Sequence, residues 1–234
     1  MKSRQQNYFH PVKELLNEID RRRLSQKFFE FHKTLAPSDD HVFRDNTFME
    51  GVWRDANAGS EITLEDFKKR YLEVTDMHDI PCFARFYRIS DYDQLRNDKE
   101  ISDLLVDIID SYGASKTLDG SPAVAFLHTW GKQNVLARHT DPGGIAKITI
   151  PLYPDYGSYR NLNFYETTDE REQPNPSYTV NYSEIRSPVL LDVSKVHEIE
   201  SSQSEESLCI QFTFNKGYKS ARNFLSKKGL LKYG

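Results

Sequence analysis

The chain predicts a mainly β protein, an antiparallel sandwich, barrel or jelly roll preceded by helices. Beyond Gly113, short segments rich in Val, Ile, Tyr, Phe and Thr recur between Gly, Pro, Asn and Asp. No helical pattern separates these segments, which excludes a doubly wound sheet. Before Gly113 the apolar residues instead recur at helical spacing.

In chain order, Pro11 suits a first helical turn, and Val12, Leu15, Leu16 and Ile19 follow at three- and four-residue steps. Leu24, Phe28, Phe31 and Leu35 prolong this stripe until Ala36-Pro37-Ser38 breaks it. Thr63 caps a second helix, with Asp66 in its first turn and Leu64, Phe67, Tyr71 and Leu72 as its buried side. A third helix is expected over 99–112, where Ile101, Leu104, Leu105, Ile108 and Ile109 form one face and Gly113 ends it. Strands are expected over 83–89, 124–130, 135–139, 145–153, 162–165, 178–182, 189–193, 197–200 and 208–214, with a long exposed loop over 167–177. The chain thus divides into a helical region over 1–79 that packs on the sheet, a β core over 80–215 and a basic tail over 216–234.

Composition narrows the class. Of 234 residues, 38% are hydrophobic and 28% charged, and 14 Phe, 13 Tyr and 2 Trp supply large packing surfaces. That suits one large domain and argues against disorder. The net charge of -4 is unevenly placed: residues 216–234 carry six basic side chains and no acid, which leaves the rest at -10. An acidic body lacks the clustered Lys and Arg of a nucleic-acid-binding face, and the tail reads as a solvated basic terminus. No apolar run approaches the ~20 residues of a membrane span, and the start lacks the apolar core of a signal peptide. Cys82 and Cys209 fit neither a disulfide framework nor a zinc knuckle. A soluble, cytoplasmic chain without membrane or nucleic-acid partners is the expectation.

Most of the seven histidines read as ordinary polar groups: His10 before a helix, His32 late in one, His41 and His78 in acidic loops. His128 reads as a buried, satisfied group on a strand or a support for a nearby site. His139 and Asp141 differ. They form His-x-Asp at the end of an apolar strand, before Pro142-Gly143-Gly144, and residues two apart on a strand share a face. An imidazole and a carboxylate on one face supply two ligands of the facial triad that holds non-haem iron. Alone the pair is weak, since chance supplies it in about every second chain of this composition. His197 strengthens it. It follows the apolar run Pro188–Val193, and a jelly roll brings strands that are distant in sequence side by side.

The stretch Trp130-Gly131, His139-Thr-Asp141-Pro-Gly-Gly, Ile148-Thr-Ile-Pro-Leu-Tyr153, Leu162-Asn-Phe-Tyr-Glu166, Leu190-Leu-Asp-Val193, His197 and Phe212-Thr-Phe214 resembles the Fe(II)/2-oxoglutarate-dependent oxygenases, particularly their prolyl-hydroxylase-like branch. The resemblance covers about residues 80–215. It implies a double-stranded β-helix flanked by helices, Fe(II) held by His139, Asp141 and His197, 2-oxoglutarate as cosubstrate and O2 as oxidant. It also implies hydroxylation of an amino-acid side chain or small molecule, and Asp at 141 favours hydroxylation over halogenation.

One departure concerns the cosubstrate. That branch places an Arg about nine residues beyond the distal His, where this chain has Glu206, and a second carboxylate would repel 2-oxoglutarate. Another cation substitutes, or the cosubstrate differs, or the correspondence slips in this loop. Lys147 is the foremost substitute. Alternation over 145–153 puts Lys147, Thr149 and Tyr153 on one face, lining the cavity, and Ala146, Ile148, Ile150 and Leu152 on an apolar face toward the helices. A Lys on a comparable strand anchors 2-oxoglutarate in other branches of the family; the competing reading is a Lys147 that only snorkels at a strand edge. Arg138, Arg160 and Lys195 are further cations whose direction is not readable. The substrate is a small molecule or peptide. Two other readings stand beside the oxygenase: a cupin-like metalloprotein without 2-oxoglutarate, supported by Glu206, and a non-catalytic jelly-roll module.

Overall fold

The computed structural model describes residues 7–34, 83–115, 123–130, 136–141, 145–166, 175–199 and 206–232, with the backbone alone for 83–85, 130 and 136–139. The expected helix beginning at Thr63, the loop histidines His41 and His78, the Pro142-Gly143-Gly144 turn and most of the 167–177 loop lie outside these residues.

The described chain is mainly antiparallel sheet with a few helices. Its strands are β1 (Phe9–Pro11), β2 (Phe83–Arg88), β3 (Val124–Trp130), β4 (Leu136–His139), β5 (Ala146–Tyr153), β6 (Leu162–Phe164), β7 (Tyr178–Val180), β8 (Val189–Leu191), β9 (His197–Ile199) and β10 (Glu206–Phe214). Its helices are α1 (Glu18–Thr34), α2 (Asp93–Arg96), α3 (Lys99–Tyr112), α4 (Tyr182–Ile185) and α5 (Tyr218–Lys227). A six-stranded sheet runs β1-β8-β5-β10-β3-β2 and a four-stranded sheet runs β4-β9-β6-β7. From β3 to β10 the chain passes repeatedly between the two sheets, with only β6 and β7 consecutive in one, and the Phe9 and Phe164 rings bridge the sheets at 6.2 Å.

The outer face of the larger sheet is the apolar one expected of β5: Ala146, Ile148 and Ile150 are fully buried. The same face carries Phe126 and His128 of β3, and α1 lays Phe28 over it, 5.1 Å from the Phe126 ring and 5.2 Å from that of Tyr87. The α1 stripe of Leu24, Phe28 and Phe31 is buried as its spacing predicts. Lys27 pairs with Asp98 and Glu100 at 3.3 and 2.8 Å, tying α1 to the start of α3, where Asp98 accepts from the Glu100 and Ile101 amides. Gly113 ends α3 in the left-handed conformation (φ 66°), and a Cβ there would meet the Phe224 ring of α5 at 2.6 Å. Glycine is required at that position on both counts.

Three segments depart from expectation. Residues 11–17 are not helical. The X-Pro step at His10-Pro11 favours extended backbone, β1 pairs with β8, and Val12 donates to the Pro188 carbonyl while bridging Leu231. The helix starts instead after Asn17, whose side chain accepts from the Asp20 amide, so Ile19 is left exposed. The expected strand over 178–182 stops at Val180, because Asn181 accepts from the Ser183 and Glu184 amides and starts α4. Residues expected to form a solvated terminus instead contain α5, which buries Tyr218, Ala221 and Leu225 at three- and four-residue steps and keeps its lysines outside. Among the described residues no helix is long and apolar enough to cross a membrane.

Candidate functional site

β4 and β9 bring the predicted histidines together. In their antiparallel ladder His139 stands directly opposite His197, so the two positions share a face of the sheet. His197 also stands opposite Phe164, and the two rings lie 5.9 Å apart. Phe164 is fully buried and meets Phe9 of the other sheet, so this face is the inner one. Asp141 follows two residues after His139, and its amide donates to the Val193 carbonyl at 2.8 Å, fastening it beside the turn that leads into His197.

The tautomer of His197 follows from its neighbour. Its Nδ1 lies 2.8 Å from the Lys195 carbonyl oxygen, which accepts only, so Nδ1 carries the proton and Nε2 is the basic nitrogen. A metal-binding imidazole held through its other nitrogen has this form. Asp141 Oδ2 accepts from Lys147 Nζ at 2.6 Å, with both side chains largely buried. The ammonium also lies 5.0 Å from the Phe86 ring centroid. Lys147 therefore points between the sheets, as strand alternation predicts, and does not snorkel at an edge. Two imidazole positions and a carboxylate at one end of the inner face have the donor chemistry of a non-haem iron site. Among the described side chains, which do not include that of His139, no group of three metal-binding residues is present.

Thr149 is buried on the same inner face, where Gln211 Nε2 donates to its hydroxyl at 3.4 Å. Tyr153 is not on that face. Cys209 pairs with Pro151 but Leu208 pairs with Tyr153, so β5 carries one extra residue at Leu152. This bulge reverses the alternation. Tyr153, 44% exposed, turns to the helix side and meets the Phe29 ring at 5.6 Å.

Glu206 is also turned outward. It lies on β10 in phase with Leu208, Ile210 and Phe212, the residues that face the helices, and its carboxylate meets His128 Nε2 at 2.7 Å. His128, 1% exposed, lies among the Phe28, Phe29 and His32 rings. The correspondence that put Glu206 at a cosubstrate position therefore slips: the inner face of β10 carries Ser207, Cys209, Gln211 and Thr213. The signal was in the sequence, because alternation along 206–212 groups Glu206 with the three apolar residues.

The hydrogen bond and positive charge of His128 hold the Glu206 carboxyl below its usual value, against the opposing effect of burial, with His32 adding to the lowering. A depressed carboxylate pKa contributes stability above its unfolded value near 4.5 and loses it as pH falls through the folded value. Urea unfolding of the wild type is therefore expected to weaken between about pH 5 and 3, with a shallower loss in Glu206→Gln. Equal slopes in the two proteins would remove this pair from the acid response.

Arg160, in the connection between β5 and β6, is one of the three cations that the sequence could not orient. It is 3% exposed and reaches the inner face, where its Nη2 donates to the Thr129 hydroxyl. Lys195 is exposed and serves the site through its carbonyl. A separate open cavity of about 650 Å3, lined by Tyr8, Asp192, Lys195, Tyr218 and Arg222 among others, contains none of the predicted site residues.

No protein-family model and no curated protein matches the sequence. Solved structures resemble it at low identity. AviO1 from Streptomyces viridochromogenes Tue57 is 12% identical with a TM-score of 0.41, covering 91% of this chain and 94% of its own. HygX from Streptomyces hygroscopicus, with nickel and 2-oxoglutarate bound, is 15% identical with a TM-score of 0.33, covering 64% and 76%. SnoN, a non-heme alpha ketoglutarate dependent epimerase from nogalamycin biosynthesis, is 12% identical with a TM-score of 0.32, covering 55% and 59%. Likenesses this loose assign neither an activity nor a site.

Proposed function

We propose that this chain is a non-haem Fe(II)/2-oxoglutarate-dependent oxygenase that hydroxylates a small molecule or an amino-acid side chain, with His139, Asp141 and His197 as the metal ligands. The observation that carries the reading is the β4–β9 register, which sets His139 opposite His197 on the inner face and fastens Asp141 beside them. The strand orders support it, because they are those expected of a double-stranded β-helix, in which the chain passes back and forth between two sheets.

Iron bound there with 2-oxoglutarate and O2 would supply the oxidising power for C–H hydroxylation. The chain's own residues do the positioning. The Lys195 carbonyl holds His197 in its metal-binding tautomer. Lys147 pairs with Asp141 in a poorly solvated place and keeps that carboxylate oriented. Thr149 adds a hydroxyl deeper on the same face, and Phe164, Val189 and Leu191 exclude water beside it. Glu206, the residue that spoke for a cupin-like metalloprotein without 2-oxoglutarate, faces the helices, so that reading keeps no specific support.

The test is anaerobic addition of Fe(II), then 2-oxoglutarate, to the purified protein. A visible metal-to-ligand charge-transfer band is expected. Failure to bind any divalent metal would leave a non-catalytic jelly-roll module; iron binding without the band would leave a metalloprotein of another kind.

A further inference from the structure

We propose that the open cavity of about 650 Å3 beside α5 is a second ligand site, for a small zwitterion, and that its occupant tightens the metal site through the turn 192–195. The coupling half of this inference rests on the reading of His139, Asp141 and His197 as metal ligands. The cavity lies where the residues before β1, the end of β6, the turn 192–195 and α5 meet. Its volume is in the range of small-molecule sites.

The walls differ in sign. α5 contributes Lys219, Arg222 and Asn223, whose three- and four-residue steps share one side of a helix, and Lys195 adds a third cation from the turn. Among the described residues Lys195 and Lys219 form no ion pair. Glu166, at the end of β6, belongs to the opposite wall. Its carboxylate accepts from the Tyr178 hydroxyl at 3.2 Å, and the Tyr178 ring lies 4.7 Å from that of Tyr8. Asp192 stands between the two poles. Burial raises the Tyr8 hydroxyl, with Glu166, Tyr178 and Asp192 adding to the rise. Burial also raises that of Tyr218, which the Arg222 charge opposes and the Asp192 charge reinforces. A simple anion would meet repulsion from Glu166 and Asp192, and a simple cation from the α5 side. A molecule with a carboxylate or phosphate at one end and an ammonium at the other satisfies both.

The turn joins this cavity to the proposed metal ligands. The Asp192 and Lys195 side chains line the cavity, while the Val193 and Lys195 carbonyls accept from the Asp141 amide and from His197 Nδ1, both at 2.8 Å. The turn is closed on itself by the Lys195 amide, which donates to the Asp192 carbonyl at 3.1 Å, and by the Ser194 hydroxyl, which donates to Asp192 Oδ1 at 2.5 Å. The Asp192 amide donates to the Tyr8 carbonyl at 2.8 Å and so fixes the turn to the cavity wall. An occupant that grips Asp192 and Lys195 therefore restrains the two carbonyls that orient Asp141 and His197. Restraint before the metal arrives favours its binding, and linkage makes the effect reciprocal.

Isothermal titration with 6-aminohexanoate, hexanoate and hexylamine separates the two charges. Wild type is expected to bind the zwitterion about 10-fold more tightly than either singly charged analogue. Arg222→Gln should lose the advantage over hexylamine, and Glu166→Gln the advantage over hexanoate. Should Arg222→Gln not fold, Lys219→Gln should lower the advantage over hexylamine several-fold. Equal affinity for the three compounds, or no binding of any, would overturn the site. Ni(II) affinity is then measured with and without saturating 6-aminohexanoate, whose amino and carboxylate groups are too far apart to chelate the ion together. An increase of about 5-fold is expected in wild type, and its loss in Arg222→Gln at the same concentration. Unchanged Ni(II) affinity at saturation would overturn the coupling. Zwitterion binding by a protein that binds no Ni(II) would overturn the oxygenase reading and the coupling, and leave the second site in place.

Discussion

Replacing His197 by alanine is expected to weaken divalent-metal binding by at least about 100-fold, since even residues that only support a metal ligand typically cost 10–100-fold. The effect follows from the placement of this side chain. It is buried on the inner face, stands opposite His139 across the ladder, and has one nitrogen engaged by the Lys195 carbonyl. Asp141→Asn should act in the same direction, because it removes the negative charge that a cation requires while keeping the shape. Isothermal titration with Co(II) or Ni(II) would measure both, with circular dichroism as the check on folding. Retention of wild-type affinity in a folded His197→Ala protein would place any metal elsewhere and remove the basis of the oxygenase assignment.

Phe28→Ala should produce the largest loss of stability, about 3–5 kcal/mol. Phe28 is fully buried, and its ring contacts Phe31, Tyr87, Phe126 and His128, so it joins α1 to β2 and β3. Truncation would leave a cavity between rigid aromatic neighbours that cannot collapse to fill it. Chemical denaturation should report the loss, and the thermal midpoint should fall by roughly 10 °C. A loss below about 1 kcal/mol would mean that α1 contributes little to the folded state.

What the sequence disclosed depended on whether a feature was local. The α3 helix and Gly113 were legible because periodicity and a left-handed stop are written in adjacent residues. The strands were legible for the same reason, and β3 has the expected bounds. The positions proposed as metal ligands were picked out by local signals too, a His-x-Asp at a strand end and a His197 that follows an apolar strand. The extended backbone of residues 9–12 was not, since its partners are β8 and Leu231, more than 170 residues away. Tyr153 was placed on the wrong face because the extra residue at Leu152 appears only when β5 is set against β10. Arg160 lies in a connection without periodicity, so only tertiary structure could tell that it points inward. Glu206 was a failure of a different kind: the alternation that turns it outward was present, but a fixed offset from His197 was followed instead.

The bulge at Leu152 gives β5 a reading frame in space. Up to Pro151, odd-numbered residues serve the interior; beyond it, the odd-numbered Tyr153 serves the helices. Inserting one more residue there would therefore do more than lengthen a strand. It would shift the alternation once again, carry a tyrosine into the chamber and withdraw its ring from Phe29. One codon at this point thus governs both how much room the interior offers and how firmly α1 is seated on the sheet.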